Sequence, residues 1–178
     1  GPVVAAAVQL DLSMVIPGIN DSKKITAEKR EELYSSITHH ALAWSVGVAT
    51  NDEIDQMNIL QASLTAMKRA LDALKRPWQL VMVDGNKAIP SLPLEVQQTI
   101  VGGDAKSASI AAASIIAKVT RDRMMDEYHQ QYPNYEFNAH KGYATARHRE
   151  LITAHGLCPI HRTSFCSLYL QTELPLGL

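Results

Sequence analysis

Gln79-Leu80-Val81-Met82-Val83-Asp84-Gly85-Asn86 is an apolar run that closes on an acid and turns at once. Its length and its β-branched residues predict a buried strand ending at Asp84. Downstream, a loop with Pro90 and Pro93 leads to Gln98-Thr-Ile-Val101, a second short strand closed by Gly102-Gly103. From Ala105 the pattern predicts a long helix to about Tyr128, stopped by Pro133. Its first half, Ser107 to Ala117, is small and apolar on nearly every face, as in a buried helix closely approached by its neighbours. Upstream, Leu60, Leu64, Met67, Leu71 and Leu74 fall at helical spacing in a helix that Pro77 terminates. Before it, a helical region starts at Asn51 or Asp52, and Trp44 to Thr50 alternates like a strand. Thr26 is placed to cap a helix running to about Ala43, and Pro17-Gly18-Ile19-Asn20-Asp21 is a turn cluster. Val3 to Leu10 forms another strand, and Ala144 to His155 a last helix before an irregular end. Strands alternating with helices define an α/β layer fold.

The 178 residues are 46% hydrophobic, enough for one core, and no repeat or Gly/Ser linker divides them. A single domain over 1–178 is expected. With 17 basic against 18 acidic residues the chain has no overall basic footprint, so any nucleic-acid binding must come from a local patch. The apolar run Val3 to Val8 is far short of the ~20 residues of a membrane span, and a cytoplasmic protein is expected. Cys158, His161 and Cys166 read C-x2-H-x4-C, short of the four paired ligands of structural zinc. Two reduced thiols are the expectation.

Three features bear on chemistry. Asp84 ends its strand at the edge where ligands collect in open α/β sheets, although an Asp there also caps a turn. Asp104 follows Gly102-Gly103 at the mouth of the buried helix. It is either an N-cap or the partner of Asp84 in an oxygen-rich metal site. Asn138 to Arg149 packs His140, Lys141, Tyr143, Arg147, His148 and Arg149 into one short segment. Such a run is either a solvated helix start or a phosphate-binding surface with a Tyr face for stacking. Cys158 to Phe165 and Asp21 to Lys24 add further basic groups. An unrelated α/β metabolic enzyme would want a Gly-rich phosphate loop, and Gly102-Gly103 is too short for one.

In order along nearly the whole chain, seven segments resemble bacterial ribonuclease HII. They are Gly1 to Val8, Asn20 to Lys24, Ile54 to Ala62, Val83-Asp-Gly-Asn86, Gly103 to Asp122, His140-Lys-Gly-Tyr143 and Cys158-Pro-Ile-His-Arg162. The resemblance implies a ribonuclease H-like fold: a five-stranded mixed central sheet flanked by helices, with a helical C-terminal substrate-binding part at about 133–178. It implies hydrolysis of the RNA strand of RNA–DNA hybrids and cutting 5′ to ribonucleotides in duplex DNA, with two Mn2+ or Mg2+ ions held by four carboxylates. Asp84 matches the third carboxylate and Asp104 the fourth. Tyr143 matches a tyrosine that stacks beneath the ribonucleotide sugar, and Lys23, Lys141, His161 and Arg162 match positions near substrate phosphates. The family's first strand, with an Asp-Glu pair and a Gly-Arg-Gly run, precedes Gly-Pro-Val-Val and is not in this chain. The resemblance therefore implies that the chain as it stands is inactive, with a slot left between Val3–Leu10 and Gln79–Asp84. A catalytically dead nucleic-acid-binding module is the alternative. Gln171 to Leu176 resembles a tail that binds a sliding clamp.

Overall fold

A computed structural model describes residues 1–11, 13, 16–19 and 25–170, with side chains to 166. Strand β1 (Val3–Gln9) pairs antiparallel with β2 (Ala43–Ala49), from Val3 opposite Ala49 to Gln9 opposite Ala43. Strand β3 (Val81–Asp84) pairs parallel with β4 (Gln97–Ile100). Both pairing senses of a mixed sheet are thus present, in two separate ladders among the described residues.

The helices start where short polar side chains reach back to free backbone N–H groups. Thr26 Oγ1 accepts from Lys29 N at the start of α1 (Ala27–His40). Thr50 and Glu53 form a capping box on α2 (Asn51–Met57). Asn58, at φ 72°, ends α2 and caps α3 (Ile59–Ala73) through its side chain, so one residue makes the corner. The expected end of α1 near Ala43 is corrected to His40, because Leu42 N already donates to Gln9 O as β2 begins.

Helix α3 packs on β1 and β2 through Ala62, Ala66 and Ala70, all fully buried at four-residue spacing. The approach is so close that a Cβ at Gly47 would run into the Ala66 carbonyl and Ala70 N, so only glycine fits. On the other side, Leu33 and Ile37 of α1 pack with Ala111, Ala112, Ile115, Ile116 and Val119 of α4 (Ala108–Gln131). The strands therefore lie between helices, as a layered α/β core requires.

Between β1 and β3 there is no ladder but a cavity of about 440 Å³. The facing strands line it, as do Ile110, Ala113, Ser114 and Ala117 on one face of α4. The expected slot is there. It corrects the reading of β3 as buried throughout, since Leu80, Met82 and Asp84 are exposed and only Val83 is buried. It also qualifies the reading of α4. One face is closely approached as expected, while the small residues of the other face line the cavity.

Further boundaries differ from expectation: α3 ends at Ala73, where Leu74 turns to extended backbone before Pro77 is reached, β3 begins at Val81 rather than Gln79, and α4 runs on to Gln131. Helix α4 begins at Ala108 with Ser107 as its cap, and Gly103–Ala105 is a separate 3-10 turn. The end of the chain, expected to be irregular, contains α7 (Thr163–Leu170). Its start is held from a distance, because both carboxylate oxygens of Asp55 on α2 accept N–H and hydroxyl bonds from Thr163 and Ser164. A cap supplied across more than a hundred residues carries no local signal. The C-terminal part also contains α5 (Phe137–His140) and α6 (Ala146–His155), packed around Met125, Tyr135, Phe137, Leu151 and Ile160.

Candidate active site

Asp84 stands at the carboxyl end of a parallel strand, and its Oδ1 accepts from Gly103 N at 2.9 Å. Gly102 supplies a left-handed turn at φ 65°, and Gly103 lies where a Cβ would be 2.5 Å from Ile110 Cδ1. The two glycines therefore let the chain fold back tightly against Asp84. Asp104 follows immediately, 7% exposed, inside the 3-10 turn. Because Ser107 caps α4, Asp104 does not serve as that helix's N-cap. Asp84 is thus bonded to the residue that precedes Asp104, and Asp84 also lines the cavity. Among the described residues no group of three or more His, Cys, Asp or Glu side chains is gathered as for a metal ion. Two carboxylates fall short of a two-ion centre, so these residues do not by themselves fit the implied pair of Mn2+ or Mg2+ ions.

Tyr143 is the second feature. The residue is 57% exposed, with Lys118 Nζ 5.1 Å and Arg121 Cζ 5.4 Å from the ring centroid. An open aromatic face flanked by two cations suits a stacked base or sugar with its phosphates. The chain reaches it through consecutive left-handed residues, Lys141 at φ 49° and Gly142 at φ 75°. Arg121 donates to Lys141 O at 3.0 Å and to Pro2 O at 3.3 Å, tying this loop to the start of β1. Lys141 is ion-paired with Asp126. Arg162 donates to Gly1 O at 2.8 Å and lies over the Phe165 ring. Its charge disfavours neighbouring cations, and burial pushes its own pKa down.

His161 lies inside, 5% exposed, with both ring nitrogens engaged. Its Nε2 is 3.1 Å from His148 Nε2, and its Nδ1 accepts from Cys158 N at 2.9 Å. No ring nitrogen is left for a phosphate. Burial pushes His161 down to about 4 and also lowers His148, so both rings are neutral near pH 7. Cys158 and Cys166 are free thiols, both pushed up by burial, as two reduced cysteines should be. Lys23 and residues 171–178 lie outside the described residues.

Sequence reasoning missed Lys118 and Arg121 as parts of the site, and read His148 as one more basic group of its run rather than as a buried support. The available signal was the change along α4 from small apolar residues to Lys118, Arg121 and Asp122 at three- and four-residue spacing.

An acid-bearing turn between β3 and α4, and an exposed tyrosine beside two cations of α4, on a layered α/β core are the features of a nuclease of the ribonuclease H type. The chain belongs to the ribonuclease HII family, a family of endoribonucleases: the family model described as Ribonuclease HII matches residues 1–168. A relative named Ribonuclease HII from Endomicrobium trichonymphae is 53% identical over 98% of this chain and 84% of its own length. The crystal structure of ribonuclease H2 from Pyrococcus horikoshii OT3 is similar with TM-score 0.77 and 25% identity, covering 92% of this chain and 86% of that one. At fold level alone, the chain is also similar to the Archaeoglobus fulgidus RNase HII solved with PCNA. That match has TM-score 0.70 and 22% identity, over 94% of this chain and 88% of the other. Bst-RNase HIII in complex with Mn2+ matches with TM-score 0.66 and 18% identity, over 88% of this chain and 58% of the other.

Proposed function

We propose that this chain carries half of the catalytic carboxylates and most of the substrate platform of an endoribonuclease acting on RNA–DNA hybrids and on ribonucleotides within duplex DNA. The observation that carries this reading is the junction at which Asp84 Oδ1 holds Gly103 N while Asp104 follows in the same turn. With further oxygen ligands beside them, Asp84 and Asp104 would hold divalent Mn2+ or Mg2+, which would supply positive charge to the scissile phosphate. The cavity between β1 and β3 receives the strand bearing the Asp-Glu pair that completes the ligand set. Among the described residues its two walls have unpaired ladder edges, which a strand would satisfy on both sides at ~4.8 Å from each.

The duplex lies along α4. Lys118 is ten residues, about 15 Å, beyond the first residue of the helix, roughly four to five steps of ~3.4 Å along a strand. Tyr143 then stacks on the sugar at the junction, and Lys118, Arg121 and Lys141 offset phosphate charge. Arg162 holds Gly1 and Pro2 in place, and so positions β1 against this platform. The proposed division is a carboxylate-bearing core with the substrate-binding part at about 133–178. A sliding clamp as partner of the 171–178 tail is tested by pull-down with purified clamp before and after deletion of that tail.

The deciding experiment is cleavage of a duplex with one ribonucleotide, with and without Mn2+. The proteins compared are this chain and the same chain preceded by the Asp-Glu strand. The extended protein is expected to cut 5′ to the ribonucleotide, and this chain to bind without cutting. Cleavage by this chain alone would overturn the half-site reading.

A further inference from the structure

Tyr143 is held from behind by a hydrogen-bond chain whose direction is set at both ends. Cys158 N–H can only donate, so the His161 Nδ1 that it meets at 2.9 Å is an acceptor, and the ring proton sits on Nε2. The Cys158 carbonyl is farther from the same Nδ1, at 3.3 Å. At the other end the Tyr143 carbonyl can only accept, so His148 Nδ1, 3.0 Å away, carries a proton. The neutral His148 ring then has an unprotonated Nε2, which faces His161 Nε2 at 3.1 Å. One tautomer of each ring completes the path from Cys158 through His161 and His148 to Tyr143.

The rings are fixed by their neighbours. His148 stacks on His140 with centroids 4.2 Å apart, and Phe137 and Tyr135 meet His161 at 5.6 and 5.0 Å. His140 is committed as well, with Nε2 on Tyr135 O at 2.7 Å and Nδ1 accepting from Gly142 N at 3.1 Å. The loop Lys141-Gly142-Tyr143 thus receives a histidine contact on each side of its left-handed turn.

We propose that His148 and His161 are positioning residues for the stacking tyrosine. They act through the Tyr143 carbonyl to set where its ring stands above Lys118 and Arg121. This rests on the reading of Tyr143 as the substrate-stacking residue. Protonating either ring puts two N–H groups face to face and breaks the chain. The titratable groups that face the pair are His140, Cys158, Tyr135 and the Gly1 amino group. His140 and the amino group add positive charge and so oppose protonation.

The test has two parts. Nitrogen-15 NMR of the ring nitrogens of this chain, without substrate, should show His161 protonated at Nε2 and His148 at Nδ1. Fluorescence anisotropy then measures binding of a duplex with one ribonucleotide. His148→Leu should bind about tenfold more weakly, like Tyr143→Ala, and should add nothing when combined with it. His148→Asn, whose amide replaces Nδ1–H, and His161→Gln, whose amide replaces Nε2–H, should each keep most of the affinity and the fold. In the unaltered protein the Tyr143-dependent part of the affinity should be level from about pH 8 to about 6 and fall toward about 4.

The proposal is overturned if His161 carries its proton on Nδ1. It is also overturned if His148→Leu binds like the unaltered protein while Tyr143→Ala does not, which leaves the stacking reading standing. If Tyr143→Ala binds normally although both tautomers are as expected, the stacking reading fails and the positioning role falls with it.

Discussion

The carboxylate end and the histidine end of this molecule are built on opposite plans. At Asp84 the structure is open, with Asp104 buried in the turn behind it. Strand edges face a cavity, Met82 and Asp84 are exposed, and two acids stand where a two-ion centre needs more oxygen ligands. Around Tyr143 the supports are closed, with the ring nitrogens of His140, His148 and His161 all engaged and aromatic rings packed between them. The difference separates two ways of preparing a site. One end leaves strand edges and a carboxylate facing a cavity. The other holds a single exposed ring rigidly before any substrate arrives, so little ordering is left to do on binding.

The contrast breaks most visibly at the acids. In the protein carrying the Asp-Glu strand, Asp84→Asn or Asp104→Asn should lower cleavage by about 10²–10³-fold with unchanged circular dichroism. An active Asp104→Asn would remove the carboxylate end from the chemistry. At the other end, Tyr143→Ala in the same protein should lower kcat/KM on a lone ribonucleotide by about tenfold, the size of one lost stacking contact. Thermal unfolding should show the fold intact.

The cavity allows a sharper comparison. Ala117→Leu puts apolar atoms into it and should stabilise this chain by about 1 kcal/mol in urea. The same change should destabilise the protein carrying the additional strand, because the slot is then occupied twice. Stabilisation of both would mean that the strand goes elsewhere.

The smallest effect is pH dependence. His161 titrates near 4 in the folded chain against its ordinary 6.5, so between these values the unfolded chain binds more protons. Stability should therefore fall as pH drops below about 6.5 and level off below about 4. His161→Gln should flatten that part of the profile, as read from urea midpoints across the range.

Local chemistry made much of the fold legible. Thr26, Thr50 and Asn58 cap helices through bonds spanning three residues, and the run ending at Asp84 is a strand because of its own β-branched pattern. Asp84 and Asp104 were legible as candidates from strand end and helix mouth, but whether Asp104 was cap or partner was open. Ser107 took the cap, and the Gly102 turn brought Gly103, the neighbour of Asp104, against Asp84. Helix α7 was illegible because its cap, Asp55, comes from α2.

His161 shows the same divide. Its sequence neighbours Cys158, Arg162 and Thr163 make it look like one more basic group on a phosphate-binding surface. The fold turns it inward onto His148, where burial removes its charge. The order of elements, the caps, the two acids and the tyrosine could be read along the chain, since each depends on residues within a turn or two of one another. Which face of α4 meets the cavity, which cap belongs to α7 and which histidines stay neutral were settled by packing. Those depend on burial and on hydrogen-bond partners that lie far apart along the chain, and a charge or a donor has no settled role until its surroundings are in place.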